Sequence, residues 1–332
     1  MAIATEPQLD RPEIDGGGCA WTHASREGFE VVRLRSQTDL EAGFAPSAGM
    51  TCCSLRADGD ELLADRVGLE AYARDGISTC MSLMHPWADR LSGWTYEACG
   101  RTVRLPISRR LHTDRWGLPV NGVHSCGDAW QLEGKHAGAE SAGLEATLRF
   151  DSDPERLALF PFPHRLRLSA ELSRRMLCLG FELEPSAGHA VPVCFGYRMY
   201  LRRSNGAGET VVLPARRRLA TDERLLPTGG WAAQEPGAYP VGLGERHEVF
   251  FLSGDRRVTV ATDERRITVD LLEGFPLVHV RTAAREPYVM IEALTAPPDA
   301  LNHATFPLAT RGRPYRAALR LSVEARAGGR QF

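Results

Sequence analysis

The sequence lacks an apolar run near the roughly 20 residues that a bilayer-spanning helix needs, so we expect no membrane partner. Its 40 basic and 42 acidic residues leave a formal net charge of −2, which gives no reason to expect nucleic acid as a partner. Residues 1–18 carry acids and prolines without an apolar core, which argues against a secretory signal. The sequence therefore favours a cytoplasmic protein.

Metal and phosphate motifs are also lacking. The eight cysteines have no CxxC pair and no regular spacing, which argues against a zinc site and a disulfide framework; they stand at positions 19, 52, 53, 80, 99, 126, 178 and 194. No glycine-rich loop follows a strand and opens a helix, as a phosphate loop would. We expect buried free thiols, no metal and no cofactor.

Helical periodicity is scarce, and alternation of apolar and polar residues is what the sequence has instead. It is clear in HRLRLSAELS (164–173) and MLCLGFELEP (176–185), and it recurs in PLVHVRT (276–282). Such segments predict strands with one buried face and one wetter face. Turn-forming clusters such as SNGAGE separate them, which is typical of an antiparallel sandwich or barrel. We predict an all-β fold, with a disordered lead-in over residues 1–25 and a single domain over residues 26–330.

Four stretches place polar residues where a sheet favours apolar ones. They are residues 84–94 with His85, Asp89 and Arg90, residues 117–130 with Asn121 and His124, residues 194–202 with Arg198, and residues 289–302 with Glu292. Strand alternation places Glu292 on one face with Met290 and Leu294. If that face is buried, the carboxylate needs a partner or a function. Four other histidines lie in no such stretch and are interpreted as structural or surface residues: His164, His189, His279 and His303.

Six segments, in this order, resemble the aldose 1-epimerase (galactose mutarotase) family. They are HPWADR (85–90), LPVNGVH (118–124), FPFPHRLRL (160–168), FGYRMY (195–200), LLPTGG (225–230) and IEALTAPPDALN (291–302). The resemblance runs from about residue 30 to about residue 325. It implies a large antiparallel β-sandwich of the mutarotase-like (supersandwich) type, with a monosaccharide or a sugar derivative bound in a cleft on one sheet. The subunit arrangement that we expect is a monomer or a homodimer.

The resemblance also implies a reaction at the anomeric carbon. Opening the sugar ring needs a base for the anomeric hydroxyl proton and an acid for the ring oxygen. The family's base falls on Glu292, and its acid, a histidine, falls on Arg198. Family residues that bind the sugar fall on Arg90 and His124. A family aspartate has no clean counterpart here, and Glu248 is the nearest candidate.

Two further residues of the matching segments, Asn121 and Tyr197, are candidate substrate contacts. Three departures from the family pattern are Arg198 for histidine, Met199 for the proline after it, and Ala293 for the proline after the base. The first departure is chemically serious. A guanidinium, with a pKa above ~12, is a poor proton donor at neutral pH, and general-acid catalysis is worth ~10²–10⁴-fold.

Three interpretations of Arg198 follow. It pairs with Glu292 in an inactive site, it binds the anionic group of a phosphorylated or acidic sugar, or it stabilises charge on the ring oxygen while another acid, such as His124, delivers the proton. These correspond to a non-catalytic carbohydrate-binding or regulatory protein, an enzyme with altered chemistry on an anionic sugar, and an epimerase. Direct contact between Arg198 and Glu292 favours the first, and a gap that spans a pyranose ring favours a working site.

Overall fold

Amphipathic strands bury their apolar faces most fully when two sheets pack face to face. The computed structural model describes residues 18–126, 130–204 and 208–325, and they form two large antiparallel sheets in this arrangement. The predicted alternation is confirmed in His164–Ser173 and Met176–Pro185, where buried residues alternate with half-buried or exposed ones along each strand.

The strands are listed here in chain order. The first nine are β1 (Ala20–Arg26), β2 (Phe29–Arg35), β3 (Leu40–Ala45), β4 (Thr51–Ala57), β5 (Asp60–Glu61), β6 (Met81–Met84), β7 (Thr95–Ala98), β8 (Arg101–Arg104) and β9 (Leu111–Thr113). The next nine are β10 (Pro119–Val123), β11 (Trp130–Ala137), β12 (Ala142–Arg149), β13 (His164–Ser173), β14 (Met176–Pro185), β15 (Val191–Pro192), β16 (Gly196–Arg202), β17 (Thr210–Leu213) and β18 (Arg217–Thr221). The last nine are β19 (Pro227–Ala233), β20 (Gly237–Pro240), β21 (Arg246–Phe251), β22 (Arg257–Ala261), β23 (Arg265–Glu273), β24 (Leu277–Thr282), β25 (Tyr288–Leu294), β26 (Leu308–Ala309) and β27 (Tyr315–Ala325).

The first sheet has twelve strands in the order β1-β2-β3-β4-β6-β16-β25-β24-β21-β18-β19, with β5 paired to β4. The second sheet has nine, in the order β11-β12-β13-β14-β27-β23-β22-β17-β20. Three small two-stranded sheets join β7 to β8, β9 to β10 and β15 to β26. The neighbours β6, β16 and the consecutive pair β24 and β25 come from three distant parts of the chain, so the middle of the first sheet collects residues that are far apart in sequence.

Helices are few and short. They are α1 (Gly68–Asp75), α2 (Pro154–Leu159) and α3 (Ala300–His303), with 3-10 turns at Pro46–Ala48 and Phe150–Ser152. Within the described parts of the chain, no helix has the length and apolar character that crossing a bilayer requires.

One apolar cluster fills the space between the two large sheets. The first sheet contributes Phe44, Met199 and Ile291, and the second contributes Leu168 and Leu179, all at most 1% exposed. We call the side of the first sheet that meets this cluster its core face and the opposite side its site face. Every residue of β25 is buried, because loops cover the site face as well. Polar groups on that face are therefore buried too and need partners.

Two expectations about the chain are partly corrected. Most of the expected lead-in, residues 1–17, lies outside the described residues, but Ala20–Arg26 forms β1, which pairs along its whole length with β2. All eight cysteines lie in the described residues and none forms a disulfide. Five are buried as expected, Cys126 and Cys178 are half-buried, and Cys99 is exposed.

Candidate active site

Three adjacent strands place three ionisable side chains side by side on the site face. Arg198 on β16 lies opposite Glu292 on β25, and Glu292 lies opposite His279 on β24. Because directly opposed residues of an antiparallel pair point to the same face, the three form one row across the sheet. Glu292 is 0% exposed and shares its face with Met290 and Leu294, as the alternation predicts.

All three guanidinium nitrogens of Arg198 donate hydrogen bonds to protein groups. Its Nε donates to Glu292 Oε1, one terminal nitrogen donates to Ser78 Oγ at 3.1 Å, and the other donates to Asn121 Oδ1 at 3.0 Å. Burial by itself lowers the pKa of Arg198, but the Glu292 carboxylate outweighs it and the pKa is raised. The arginine is a fixed cation whose donors are directed at Glu292 and its neighbours.

His279 is the second cation beside Glu292. Its Nδ1 lies 3.1 Å from Glu292 Oε2 and 3.3 Å from Asp89 Oδ2. Burial lowers the pKa of His279, but the two carboxylates outweigh burial and raise it to about 9. Burial likewise tends to raise the pKa of Glu292, and Arg198 and His279 reverse that and hold it below its ordinary value. At neutral pH the pair is an imidazolium and a carboxylate.

A second ionic group continues the row on the far side of His279. Arg90 lies 3.2 Å from Asp89 Oδ1 and 3.2 Å from Asp114 Oδ2. Burial raises the pKa of Asp89, but Arg90 and then His279 lower it by more. The three cations of the cluster thus match its three carboxylates in charge.

The match between cations and carboxylates in this cluster argues against a bound metal ion. Ligand atoms of Asp89, His279 and Glu292 lie within 4.8 Å of one another, as the ligands of a metal ion do. A metal would need a deprotonated His279, yet both carboxylates that flank the ring stabilise its protonated form. The side chains present fit an ionic network better than a metal centre.

Two clefts flank the buried cluster. The first is lined by Ser78, His112, Asn121 and His124, and it reaches Arg198 through the two groups that bind the guanidinium. The second is lined by Arg115, Tyr239, Arg246 and His247. His247 stacks on His279 with ring centroids 4.7 Å apart and planes 12° apart. Burial, together with the His279 cation, lowers the pKa of His247 to about 3, so this ring is neutral.

A close backbone contact positions Asn121. The carbonyl of His85 accepts a hydrogen bond from Val123 N at 2.8 Å, and the carbonyl of Asp89 accepts one from Asn121 N at 2.6 Å. Gly122 between them has φ +80°, and a Cβ atom there would lie 2.2 Å from the His85 carbonyl oxygen. Only glycine allows this approach, which holds Asn121 at the Arg198 guanidinium.

His124 lies in the first cleft, away from Glu292. Its Nε2 makes a 2.8 Å hydrogen bond with the Ala73 carbonyl, and its ring meets Tyr72 edge-on. Since a carbonyl only accepts, Nε2 is the protonated nitrogen and its proton is committed to Ala73. Burial lowers the pKa of His124, which favours the neutral ring.

Two expected substrate contacts lie outside the row that Arg198, Glu292 and His279 form. Tyr197 is 0% exposed on the core face and packs against Phe181, with ring centroids 5.3 Å apart. Glu248 precedes Val249, which lies opposite His279, so alternation turns Glu248 to the core face. Its carboxylate binds Arg246 and Arg218 instead. Tyr197 is therefore packed in the core away from Glu292, whereas Glu248 lines the second cleft beside His247, and its role as a substrate contact stays a prediction.

Sequence reasoning missed His279 and His247. The alternation in 276–282 does place His279 on one face with Leu277 and Arg281, but it does not say that this face meets Glu292. His247 precedes Glu248 in the same segment and is the residue that turns to the site. The sequence predicts that His279 is a structural or surface residue. The ring is 3% exposed, so it is not on the surface, and it lies against Glu292. The strands β24 and β25 are consecutive and antiparallel, but the register that sets His279 opposite Glu292 is not given by the alternation of either segment.

Known proteins are similar to this chain in sequence and in fold. A protein-family model described as aldose 1-epimerase matches residues 31–322. A galactose mutarotase-like protein from Clostridium acetobutylicum has a similar structure, with a TM-score of 0.82 and 16% identity over 94% of this chain and 100% of that chain. A galactose 1-epimerase from Lactobacillus acidophilus is similar with a TM-score of 0.72 and 14% identity over 93% and 99% of the two chains. At these identities the likeness shows the fold, which confirms the predicted mutarotase-like sandwich. A comparison with curated protein sequences finds no match.

Proposed function

The chain belongs to the aldose 1-epimerase family, and from that premise we propose that it binds a monosaccharide or a sugar derivative and interconverts its anomers at C1, with Glu292 as the general base. The observation that carries the proposal is the Glu292 carboxylate, which lies on the site face between a guanidinium and an imidazolium. The two cations keep the carboxylate in the unprotonated form that a general base requires.

Arg198 positions the base in this proposal. A guanidinium stays protonated throughout turnover, so it orients Glu292 and offers positive charge where the ring oxygen becomes negative. The same contact lowers the basicity of Glu292, because the hydrogen bond to Arg198 weakens as the carboxylate gains a proton. We therefore expect turnover slower than a histidine acid would allow. Arg90 is the proposed sugar contact beside the buried cluster, and Asn121 and His124 are the proposed contacts of a sugar that occupies the first cleft.

The test is exchange NMR or polarimetry on glucose, galactose and their 6-phosphates. Galactose comes first because the two similar structures above are named for it. We expect interconversion of the anomers to be accelerated over the buffer rate for at least one sugar. A folded protein that accelerates none of them contradicts the proposal.

A second candidate is a carbohydrate-binding or regulatory protein without turnover. It is favoured by one observation: Arg198 and His279 occupy both oxygens of Glu292, which is 0% exposed. This candidate predicts that the wild type binds sugar without turnover and that Arg198→His creates activity. Loss of an existing activity in Arg198→His contradicts it and makes Arg198 part of the catalytic machinery.

The third alternative, altered chemistry on an anionic sugar, has less support. It needs Arg198 nitrogens free for a phosphate or carboxylate, and all three are directed at Glu292, Ser78 and Asn121. The 6-phosphates in the same assay distinguish it, because this alternative expects them to be preferred over the neutral sugars.

A further inference from the structure

Replacement of the family's acid by Arg198 leaves the proposed reaction without an obvious proton donor. We propose that His279 is the general acid of the site and that it gives the sugar ring oxygen its proton while Glu292 takes the proton of the anomeric hydroxyl. This inference rests on the proposed function and assigns its missing group.

The distance between His279 and Glu292 suits the two proton transfers. The anomeric oxygen and the ring oxygen are bonded to the same carbon, so their acid and base have to lie within a few ångströms of each other. His279 Nδ1 and Glu292 Oε2 are 3.1 Å apart on adjacent strands. They also point to one face, so both reach the same side of a bound ring.

The surroundings of His279 keep it protonated. Glu292 from β25 and Asp89 from the segment after β6 lie against Nδ1 and stabilise the cation. His247 from β21 stacks on the ring as a neutral group, and Arg281 lies on the same face of β24. Arg198 and Arg90 lie beyond the carboxylates. With a pKa of about 9, His279 holds its proton at neutral pH and can still release it.

Other candidate donors are less suitable. Arg198 does not release a proton in the working pH range. Burial favours the neutral ring of His124, and its one N–H is bound to the Ala73 carbonyl, whereas an imidazolium at His279 has a second N–H besides the Nδ1 proton that faces Glu292. His247 is neutral at neutral pH, since its pKa is lowered to about 3. His279 alone among these four is both protonated and able to lose the proton.

The proton transfers return Glu292 and His279 to their starting protonation states. On ring opening, Glu292 takes the hydroxyl proton, the C1–O carbonyl bond forms, the bond from C1 to the ring oxygen breaks, and that oxygen takes the proton of His279. After rotation about C1–C2, the same transfers run in reverse on the other face of C1. Glu292 and His279 return to carboxylate and imidazolium, and nothing is oxidised or reduced.

Access to the pair comes from the second cleft, whose lining does not include Asn121 or His124, so this inference assigns those two residues no contact with the sugar. Glu292 is 0% and His279 is 3% exposed, so a covering side chain has to move before a sugar reaches them. His247 is that cover, because it is half-buried, lines the second cleft and lies flat on His279. Movement of His247 away from this position opens the second cleft toward His279 and Glu292.

The experiment compares wild type, His279→Gln and a matched control, His136→Gln, by exchange NMR from pH 6 to 10. His136 forms an exposed pair with Glu171 at 2.9 Å on the second sheet, so it repeats the histidine–carboxylate contact away from the site.

We expect His279→Gln to lower kcat by ~10²–10⁴-fold with little change in KM. Wild-type kcat/KM should fall above a pH of about 9, and this fall should be missing in His279→Gln. His136→Gln should match wild type.

A measurement on the wild type makes the test independent of whether the variant folds. Nitrogen-15 NMR of the histidine rings should show His279 protonated at pH 7.5. A neutral His279 at that pH, a His279→Gln rate within about threefold of wild type, or an alkaline fall that persists in the variant overturns the inference and leaves the proposed function standing. A wild type that accelerates no sugar overturns both.

Discussion

Arg198 and Glu292 lie directly opposite each other on β16 and β25, and the Arg198 Nε donates a hydrogen bond to Glu292 Oε1. The contact joins the two positions on which the family resemblance predicts the acid and the base to fall. Direct contact at this pair is the geometry that favours an inactive site over a gap filled by a sugar. The imidazolium of His279 on the other carboxylate oxygen is what keeps an epimerase mechanism available.

Replacing Arg198 by methionine should destabilise the fold by about 3–5 kcal/mol, because a buried carboxylate then loses its main counter-charge. The double variant Arg198→Met with Glu292→Met should lose less than the single variant, since no uncompensated charge remains. Urea unfolding at pH 7.5 measures the free energy of unfolding of both variants.

The matched control is Arg316→Met, which breaks an exposed 2.7 Å pair with Glu182 and should cost below about 1 kcal/mol. Equal losses in the single and double variants contradict the pairing.

Glu292→Gln should lower kcat by ~10²–10⁴-fold on any sugar that the wild type turns over, because an amide cannot accept the hydroxyl proton. Exchange NMR measures the rate, and circular dichroism checks that the variant is folded. The control is Glu171→Gln, which removes the exposed partner of His136 on the second sheet and should keep full activity. Activity retained in a folded Glu292→Gln protein means that another group is the base.

Acid should unfold the protein through a buried histidine pair. The ring nitrogens of His85 and His164 lie 2.9 Å apart, and burial first of all lowers both pKa values, that of His164 to about 4. Since the unfolded chain binds these protons near pH 6.5, the stability contributed by the neutral rings is present above that pH and is lost as the pH falls toward 4. At about 1.4 kcal/mol per pH unit, His164 accounts for about 3 kcal/mol.

Urea unfolding at several pH values between 7.5 and 4 measures this dependence. His164→Gln removes one titrating ring, so it should flatten the loss of stability on acidification even if it is less stable throughout. A variant with the same pH slope as wild type contradicts the assignment to this pair.

Thiol reagents should label Cys99 first in the folded protein, because it is the exposed cysteine. Burial raises the pKa of Cys53 to about 11 and that of Cys126 to about 12, which keeps these thiols protonated and slow. Cys99→Ser should remove the fast phase of labelling with a chromogenic disulfide. Rapid labelling of several further thiols without denaturant contradicts the burial described here.

The sequence by itself determined the strands, the sandwich, the family and the face on which Glu292 lies. Local alternation predicts the strands and the face of Glu292, and the six ordered segments taken together indicate the family, which implies the sandwich. It also identified Arg198, Asn121 and Arg90, which the structure brings to the same buried network.

Only the tertiary structure decided which groups meet. Arg198 and Glu292 are 94 positions apart and His279 and Glu292 are 13 apart, and strand pairing alone makes them neighbours. The phase of each strand, fixed by its pairing, turned Tyr197 to the core and His247 toward His279. The Glu292 carboxylate is buried because its site face is covered in the folded protein. The pKa of a buried charge depends on its neighbours, and the sequence does not place those neighbours beside it.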